Sequence, residues 1–76
     1  KIKFGLPKDS KVNLVIYDIL GREVKRLVNN EFKSAGTHIV EFNGSSYASG
    51  VYFYRIEAEE PNGKKFVETK KMVLVK

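Results

Sequence analysis

Apolar and polar residues alternate along most of this chain, which is the pattern of β-strands that bury one face. In residues 1–6 every second side chain is apolar, and Pro7 then ends the run because it cannot donate a hydrogen bond to a neighbouring strand. Residues 12–17 repeat the alternation, with a second face that is only partly polar. The stretch DILGR (residues 18–22) predicts a tight reversal, since Gly21 can adopt the positive φ that such turns require.

The middle of the chain is less regular but still predicts strands. In residues 23–32 the apolar spacing breaks after Val24, so we expect a β-bulge or a short irregularity there. Residues 34–36 form a predicted turn. Residues 38–42 then place His38, Val40 and Phe42 on one face of a fourth strand.

The last third of the chain contains the clearest pattern. Residues 43–50 (NGSSYASG) are rich in turn formers and have Tyr47 as a large anchor, so we expect this connection to cross from one sheet to another. Residues 51–59 are predicted to form a central strand, because β-branched or aromatic residues lie on both of its faces. Tyr52, Tyr54 and Ile56 are on one face, and Val51 and Phe53 are on the other. Residues 61–63 (PNG) predict a hairpin turn, and residues 66–75 return as the final strand.

Six or seven short strands without a helical pattern between them predict an all-β fold, an antiparallel immunoglobulin-like β-sandwich. The chain has 76 residues, so we expect residues 1–76 to form a single domain with a thin core. It contains neither cysteine nor tryptophan, which excludes the disulfide and tryptophan signature of antibody domains.

The net charge of +5 is concentrated at the two ends of the chain. Residues 1–11 contain four lysines and one aspartate, and residues 64–76 contain five lysines and one glutamate. Lysines on terminal strands discourage pairing with other molecules, so the charge has a structural explanation and no nucleic-acid partner is expected. No apolar run approaches the roughly 20 residues that span a bilayer, so no transmembrane segment is expected.

Candidate catalytic and metal-binding chemistry is sparse. The chain has one histidine, and it lacks phosphate-cradling glycine loops and nucleophile motifs. His38 is in phase with apolar strand positions, so we interpret it as a half-buried strand residue rather than a base or a ligand. Glu57, Glu59 and Glu60 are interpreted as a solvated face. We therefore expect no catalytic residue, no metal and no cofactor.

The run Tyr52, Phe53, Tyr54 and Arg55 has two interpretations. These side chains could form a stacking platform for a sugar or for single-stranded nucleic acid. They could also form the core of a domain with few other large residues, which is the interpretation we favour.

Four stretches, taken together and in this order, resemble the C-terminal sorting domain of proteins exported by the type IX secretion system of Bacteroidetes and related bacteria. They are FGLPKDSKVNLVIYDILGREV (residues 4–24), SAGTHIVEFNGS (residues 34–45), SGVYFYRIEA (residues 49–58) and ETKKMVLVK (residues 68–76). The fold is also similar to the immunoglobulin-like domain of the flagellar hook-capping protein.

The resemblance implies a non-catalytic delivery address. In such proteins an N-terminal cargo domain crosses the inner membrane, folds in the periplasm and is recognised through this domain by the outer-membrane type IX translocon. A sortase-like peptidase then removes the domain in many cases and attaches the cargo to the surface. The resemblance therefore implies that the parent protein is secreted or displayed on the cell surface, via the periplasm.

The resemblance also indicates which residues carry the family motifs. One motif falls on Gly36, Thr37 and His38, although Ser34 and His38 stand where a proline and an aromatic residue are common. A second falls on Gly50, Val51 and Tyr52. The terminal motif, which we call the terminal segment, comprises Lys70, Lys71, Met72, Val73, Leu74, Val75 and Lys76. An Asn-Pro-rich stretch that often precedes the first strand is absent, so we expect the chain to start inside a longer secreted protein and to be its C-terminal sorting domain.

These observations lead to one hypothesis and two alternatives. The hypothesis is that the terminal segment both completes the sandwich and presents the sorting address. The first alternative is a retained immunoglobulin-like interaction or spacer module of a multidomain secreted enzyme, in contact with carbohydrate, which requires an exposed planar row of aromatic rings. The second is a nucleic-acid-binding β-domain, suggested by charge and aromatic content alone.

Overall fold

Residues 1–75, which the computed structural model describes, form six β-strands in two antiparallel sheets. The strands are β1 (Ile2–Leu6), β2 (Ser10–Asp18), β3 (Glu23–Lys33), β4 (Gly36–Val40), β5 (Gly50–Glu59) and β6 (Lys65–Leu74). A single turn of 3-10 helix, Gly44–Ser46, lies between β4 and β5. The all-β prediction is confirmed. Two predicted strand ends are corrected: the fourth strand ends at Val40, before Phe42, and the final strand ends at Leu74, before Val75.

The two sheets differ in size. β1 and β4 form a two-stranded sheet, and the other sheet has the order β3, β2, β5, β6. The strand predicted to be central, β5, lies between β2 and β6 as expected. The connection between β4 and β5 passes from the small sheet to the large one, which confirms the predicted crossing.

The core lies between the sheets and is centred on β2. Val12, Leu14 and Ile16 are completely inaccessible to solvent. Strand β1 covers them with its own alternating apolar face, which is buried while the intervening residues are exposed. The core cluster comprises Ile2, Phe4, Leu6, Val12, Leu14, Ile16, Val28, Tyr52, Ile56 and Ala58. Val15, outside this cluster, is also buried.

Strand β3 contains the predicted irregularity. Its pairing with β2 shifts register between Val12 and Leu14, between Leu14 and Val15, and again further along. The Asn13 side chain supports the distortion, because its Oδ1 accepts hydrogen bonds from the Asn30 backbone N–H and from the Arg26 guanidinium. Asn30 has a φ of 55°, a left-handed conformation that asparagine tolerates better than most residues.

The turn between β2 and β3 is held by one aspartate. Asp18 Oδ1 accepts hydrogen bonds from the backbone N–H groups of Leu20 and Arg22, each at 2.9 Å. Asp18 Oδ2 accepts a further bond from Arg22 Nε at 2.9 Å. Gly21 has a φ of 83° and donates its N–H to the Asp18 carbonyl oxygen, which closes the turn. The Arg22 backbone bond, followed by the Arg22 side chain and the Leu20 N–H, lowers the pKa of the Asp18 carboxyl below its ordinary value.

The crossing between the sheets is fixed by a tyrosine. The hydroxyl of the buried Tyr52 donates a 2.8 Å hydrogen bond to the carbonyl oxygen of Ala48, four residues upstream. This resembles the tyrosine corner of immunoglobulin-like sandwiches. Tyr47 stacks on Phe42 at a centroid distance of 5.5 Å, so the predicted anchor of this connection is confirmed.

We expect the Asp18 carboxylate to make stability depend on pH in the acid range. Because the folded-state pKa is lowered from 3.8, the stabilisation is fully present above that value and is lost as the pH falls through the folded pKa. The melting temperatures of the wild type and of Asp18→Asn should therefore differ at about pH 6 and become equal at about pH 2. A difference that is equal at both pH values would contradict this account.

We expect Tyr52→Phe to reduce the free energy of unfolding by about 1 kcal/mol, since it removes one hydrogen bond from a largely buried group. Tyr17→Phe is the matched control, because among the described residues the Tyr17 hydroxyl forms no hydrogen bond. Denaturant unfolding of both variants measures the difference. Equal losses in the two variants would show that the Ala48 bond does not stabilise the crossing.

Candidate recognition surface on the terminal strand

Strand β6, which contains most of the terminal segment, lies at the edge of the large sheet. It pairs with β5 on one side, and none of the described strands pairs with its other side. An edge strand presents a row of backbone donors and acceptors that another polypeptide can pair with. All of β6 is exposed except Met72 and Leu74, which are half-buried.

The register with β5 divides the terminal segment into two sets of side chains. Met72 lies opposite the buried Tyr52, and both Met72 and Leu74 pack against the core. Because successive side chains of a strand point to opposite faces, Lys71 and Val73 point away from the core. We call Lys71 and Val73 the outward row.

The residues beyond β6 continue the exposed surface in part. Val75 follows the strand directly and is 85% exposed. The predicted site residue Lys76 lies outside the described residues.

Leu74 fixes the end of the strand to the connection between the sheets. A Cβ atom on Gly44 would lie 2.8 Å from Leu74 Cδ2, which is closer than real side chains approach. Glycine at position 44 therefore makes room for Leu74 against the 3-10 turn. Through this contact the terminal segment is packed onto the body of the domain.

The two lysines of the terminal segment in β6 differ in their surroundings. Lys70 Nζ lies 3.1 Å from Glu68 Oε1, and this hydrogen-bonded carboxylate raises the pKa of Lys70 above its ordinary value. Lys71 forms no ion pair with the rest of residues 1–75. Of the two ammonium groups, that of Lys71 is therefore the one available to a partner without breaking an existing pair.

The structure brings a second predicted motif next to the terminal segment. Gly50 lies opposite Leu74, Val51 opposite Val73, and Tyr52 opposite Met72. Gly50 has a φ of 152°, a backbone conformation that favours glycine. The Gly-Val-Tyr motif is thus the direct pairing partner of the terminal segment.

The third predicted motif lies elsewhere. Gly36, Thr37 and His38 belong to β4 and pair with β1 in the small sheet. His38 is half-buried, as predicted, and stacks on Phe4 at 5.5 Å. Its Nε2 donates to the Ser34 carbonyl oxygen at 2.7 Å, so the ring holds the preceding turn. The contacts of this motif therefore stabilise the fold.

The aromatic run of β5 is divided between two faces. Tyr52 is buried and Tyr54 packs against the core, which agrees with the predicted core role. Phe53 lies on the opposite face of the sheet, as the alternation predicts. Phe53 and Arg55 are half-buried outside the core cluster, so the predicted core role does not extend to them. The two-residue period of a strand is the reason, because it separates neighbouring side chains. The same separation prevents these rings from forming one shared stacking platform.

Two exposed apolar residues were missed by the sequence analysis. Ile19 and Leu20 lie at the tip of the β2–β3 hairpin and are 69% and 74% exposed. The sequence contains a signal for them: turns favour polar residues and glycine, so two large apolar residues within a predicted turn are unusual.

Other kinds of site have little support in residues 1–75. No three histidine, aspartate or glutamate side chains of this part are grouped to hold a metal ion. None of these residues lies in a helix long and apolar enough to cross a membrane. A surface groove of about 380 Å³ runs between Pro7 and Phe66, and four of its seven lining residues are lysines or glutamates.

Comparison with protein families identifies the family of this chain. Neither the curated proteins nor the solved structures include one that matches this chain. The family model of the secretion system C-terminal sorting domain matches residues 1–75. The chain therefore belongs to this family, the C-terminal sorting domains of type IX secretion.

Proposed function

We propose that this domain directs an N-terminal cargo across the outer membrane and that the type IX translocon reads the outward row of β6. The observation that carries the proposal is the division of side chains along the terminal segment. Met72 and Leu74 are used by the fold, whereas Lys71 and Val73 are exposed on a strand whose outer edge is unpaired in the described part of the chain.

This division explains how one strand can serve two purposes. A partner that adds a strand to the open edge gains backbone hydrogen bonds, and the side chains supply specificity. The free ammonium of Lys71 favours a partner with carboxylates, while Val73 favours an apolar contact. Recognition of this kind leaves the inward residues, and hence the core, undisturbed.

Subsequent steps follow from the family. We propose that the domain has no catalytic activity of its own, and that a sortase-like peptidase separates it from the cargo before surface attachment. The mature cargo is then secreted or held at the cell surface.

The alternative of a retained carbohydrate-binding module has less support. It requires a planar row of exposed aromatic rings. Tyr52 and Tyr54 face the core, so Phe53 is the only one of the three on the outward face. A spacer role without ligand binding is tested by the same experiment as the sorting role.

We expect the double variant Lys71→Glu, Val73→Ser to retain a fluorescent reporter in the periplasm. The reporter is fused in front of the domain, carries an inner-membrane export signal and is expressed in a host with a working type IX system. Reversing one charge and removing one apolar contact should lower the exported fraction by about tenfold or more, because contacts of this size contribute on the order of 1 kcal/mol each. The measurement is the ratio of reporter fluorescence outside and inside the cells.

The matched control is Lys65→Glu, Val67→Ser. These residues occupy the same outward face of the same strand at its other end, and both are exposed. The control should be exported like the wild type, and deletion of residues 71–76 should abolish export. If the Lys71→Glu, Val73→Ser variant is exported as well as the control, the proposal that the translocon recognises the outward row is wrong.

A further inference from the structure

One end of the large sheet carries apolar side chains that the fold does not use. Ile19 and Leu20 lie at the hairpin tip, and Val73 near the end of β6 is 58% exposed. We call Ile19, Leu20, Val51 and Val73 the apolar end.

The strand register places these residues together. Asp18 is the last residue of β2 and lies opposite Tyr52, which lies opposite Met72. The next step in the same direction reaches Ile19 on the hairpin and the pair Val51 and Val73 on β5 and β6. The hairpin tip and the outward row therefore occupy the same end of the same sheet.

The hairpin tip is held rigidly although its two apolar side chains are exposed. Its conformation depends on Asp18, Gly21 and Arg22, through the hydrogen bonds that close the turn. The side chains of Ile19 and Leu20 contribute nothing to those bonds. A preordered loop loses little conformational entropy when it binds, which favours a role as a binding element.

The exposure of Ile19 and Leu20 lacks a structural explanation within the described residues. Type I and related turns favour aspartate, asparagine, serine and glycine. Two adjacent large apolar side chains at such a tip remain in water in the isolated domain. Ile19 and Leu20 are adjacent in the chain, and exposed apolar patches rimmed by polar residues mark interaction sites.

The charges around the apolar end are unbalanced. The Asp18 carboxylate is occupied by the turn, and Glu23 lies 3.2 Å from Arg26. Arg22 is paired with Asp18 at 2.9 Å. Lys71 has no ion pair within residues 1–75, so its positive charge is the one left unbalanced. A complementary partner surface therefore carries carboxylates beside an apolar pocket.

We propose that Ile19 and Leu20 are anchor residues, which insert into an apolar, carboxylate-rimmed pocket on a protein of the export machinery. This inference rests on the proposed function, because it assigns a second contact to the same recognition event. The outward row and the hairpin tip then contact one partner from one end of the domain. Two adjacent anchors on a convex tip suit a protein pocket better than a membrane surface, which requires a broader apolar face.

The test uses the reporter fusion with the whole domain. The variant Ile19→Ser, Leu20→Ser keeps Asp18, Gly21 and Arg22 and introduces residues that turns favour, so the fold should be retained. We expect its exported fraction to fall by about tenfold or more. The control is Phe32→Ser, Ile39→Ser, which removes two apolar side chains of similar exposure, 63% and 62%, away from the apolar end. We expect this control to be exported within about twofold of the wild type.

Further measurements separate the possible outcomes. Circular dichroism and thermal unfolding check that both variants fold, and a single variant, Leu20→Asn, replaces the double variant if that one does not. Light scattering tests whether the tip binds a second copy of the domain. Sedimentation with anionic vesicles tests whether the tip binds a membrane. A tip-dependent dimer or tip-dependent vesicle binding, with export unchanged, would assign the tip to a second copy or to a membrane and overturn the proposal.

The two proposals fail in different ways. If the Lys71→Glu, Val73→Ser variant loses export but the tip variant is exported like the wild type, the tip is not an anchor and the proposed function stands. If the wild-type fusion is not exported, or if the deletion is exported, the proposed function and the anchor are both overturned. If the Phe32→Ser, Ile39→Ser control also loses export, then export depends on exposed apolar residues in general. That result would overturn the proposal that Ile19 and Leu20 are specific anchors.

Discussion

The register between β5 and β6 is the constraint on which the rest of this domain depends. It places Met72 opposite Tyr52 and Leu74 opposite Gly50, so the inward half of the terminal segment completes the core. A slip of one residue would exchange the two faces and would place Lys71 and Val73 against the core instead. The buried Tyr52 and the close contact between Leu74 and Gly44 both oppose such a slip. The surface offered to a partner is therefore as well defined as the core itself.

The small size of the domain favours the proposed sharing of its last strand between folding and recognition. A chain of 76 residues has few side chains available for a separate binding surface, and the smaller of its described sheets has two strands. The outward face of the large sheet has no third layer above it among the described strands. Strand β6 can thus contribute to the core with one face and to a surface with the other.

The sequence was sufficient to predict the strands, the two hairpins, the bulge in β3 and the crossing at residues 43–50, because period-two patterns and turn residues are local signals. It could not show that β1 pairs with β4 rather than with β2, since strand pairing is a long-range property. The core role predicted for Phe53 and Arg55 was wrong because apolar character on both faces was interpreted as burial in the core on both faces. Of the predicted site residues, the structure groups Gly50, Val51 and Tyr52 with the terminal segment and places Gly36, Thr37 and His38 in the other sheet. Motifs that are equally visible in the sequence can therefore have different spatial roles.

An open edge strand would ordinarily be a hazard, because any exposed β-edge can pair with it and aggregate. Lysines on that strand reduce the hazard by making pairing costly for partners that cannot neutralise or solvate the charge. The same charges make pairing favourable for a partner that places a carboxylate beside Lys71. Lys71 then both discourages unspecific partners and favours a specific one. The two effects go together because specificity is a difference between two binding free energies. On this argument the lysines of the terminal segment are required even if they add little to the affinity for the correct partner.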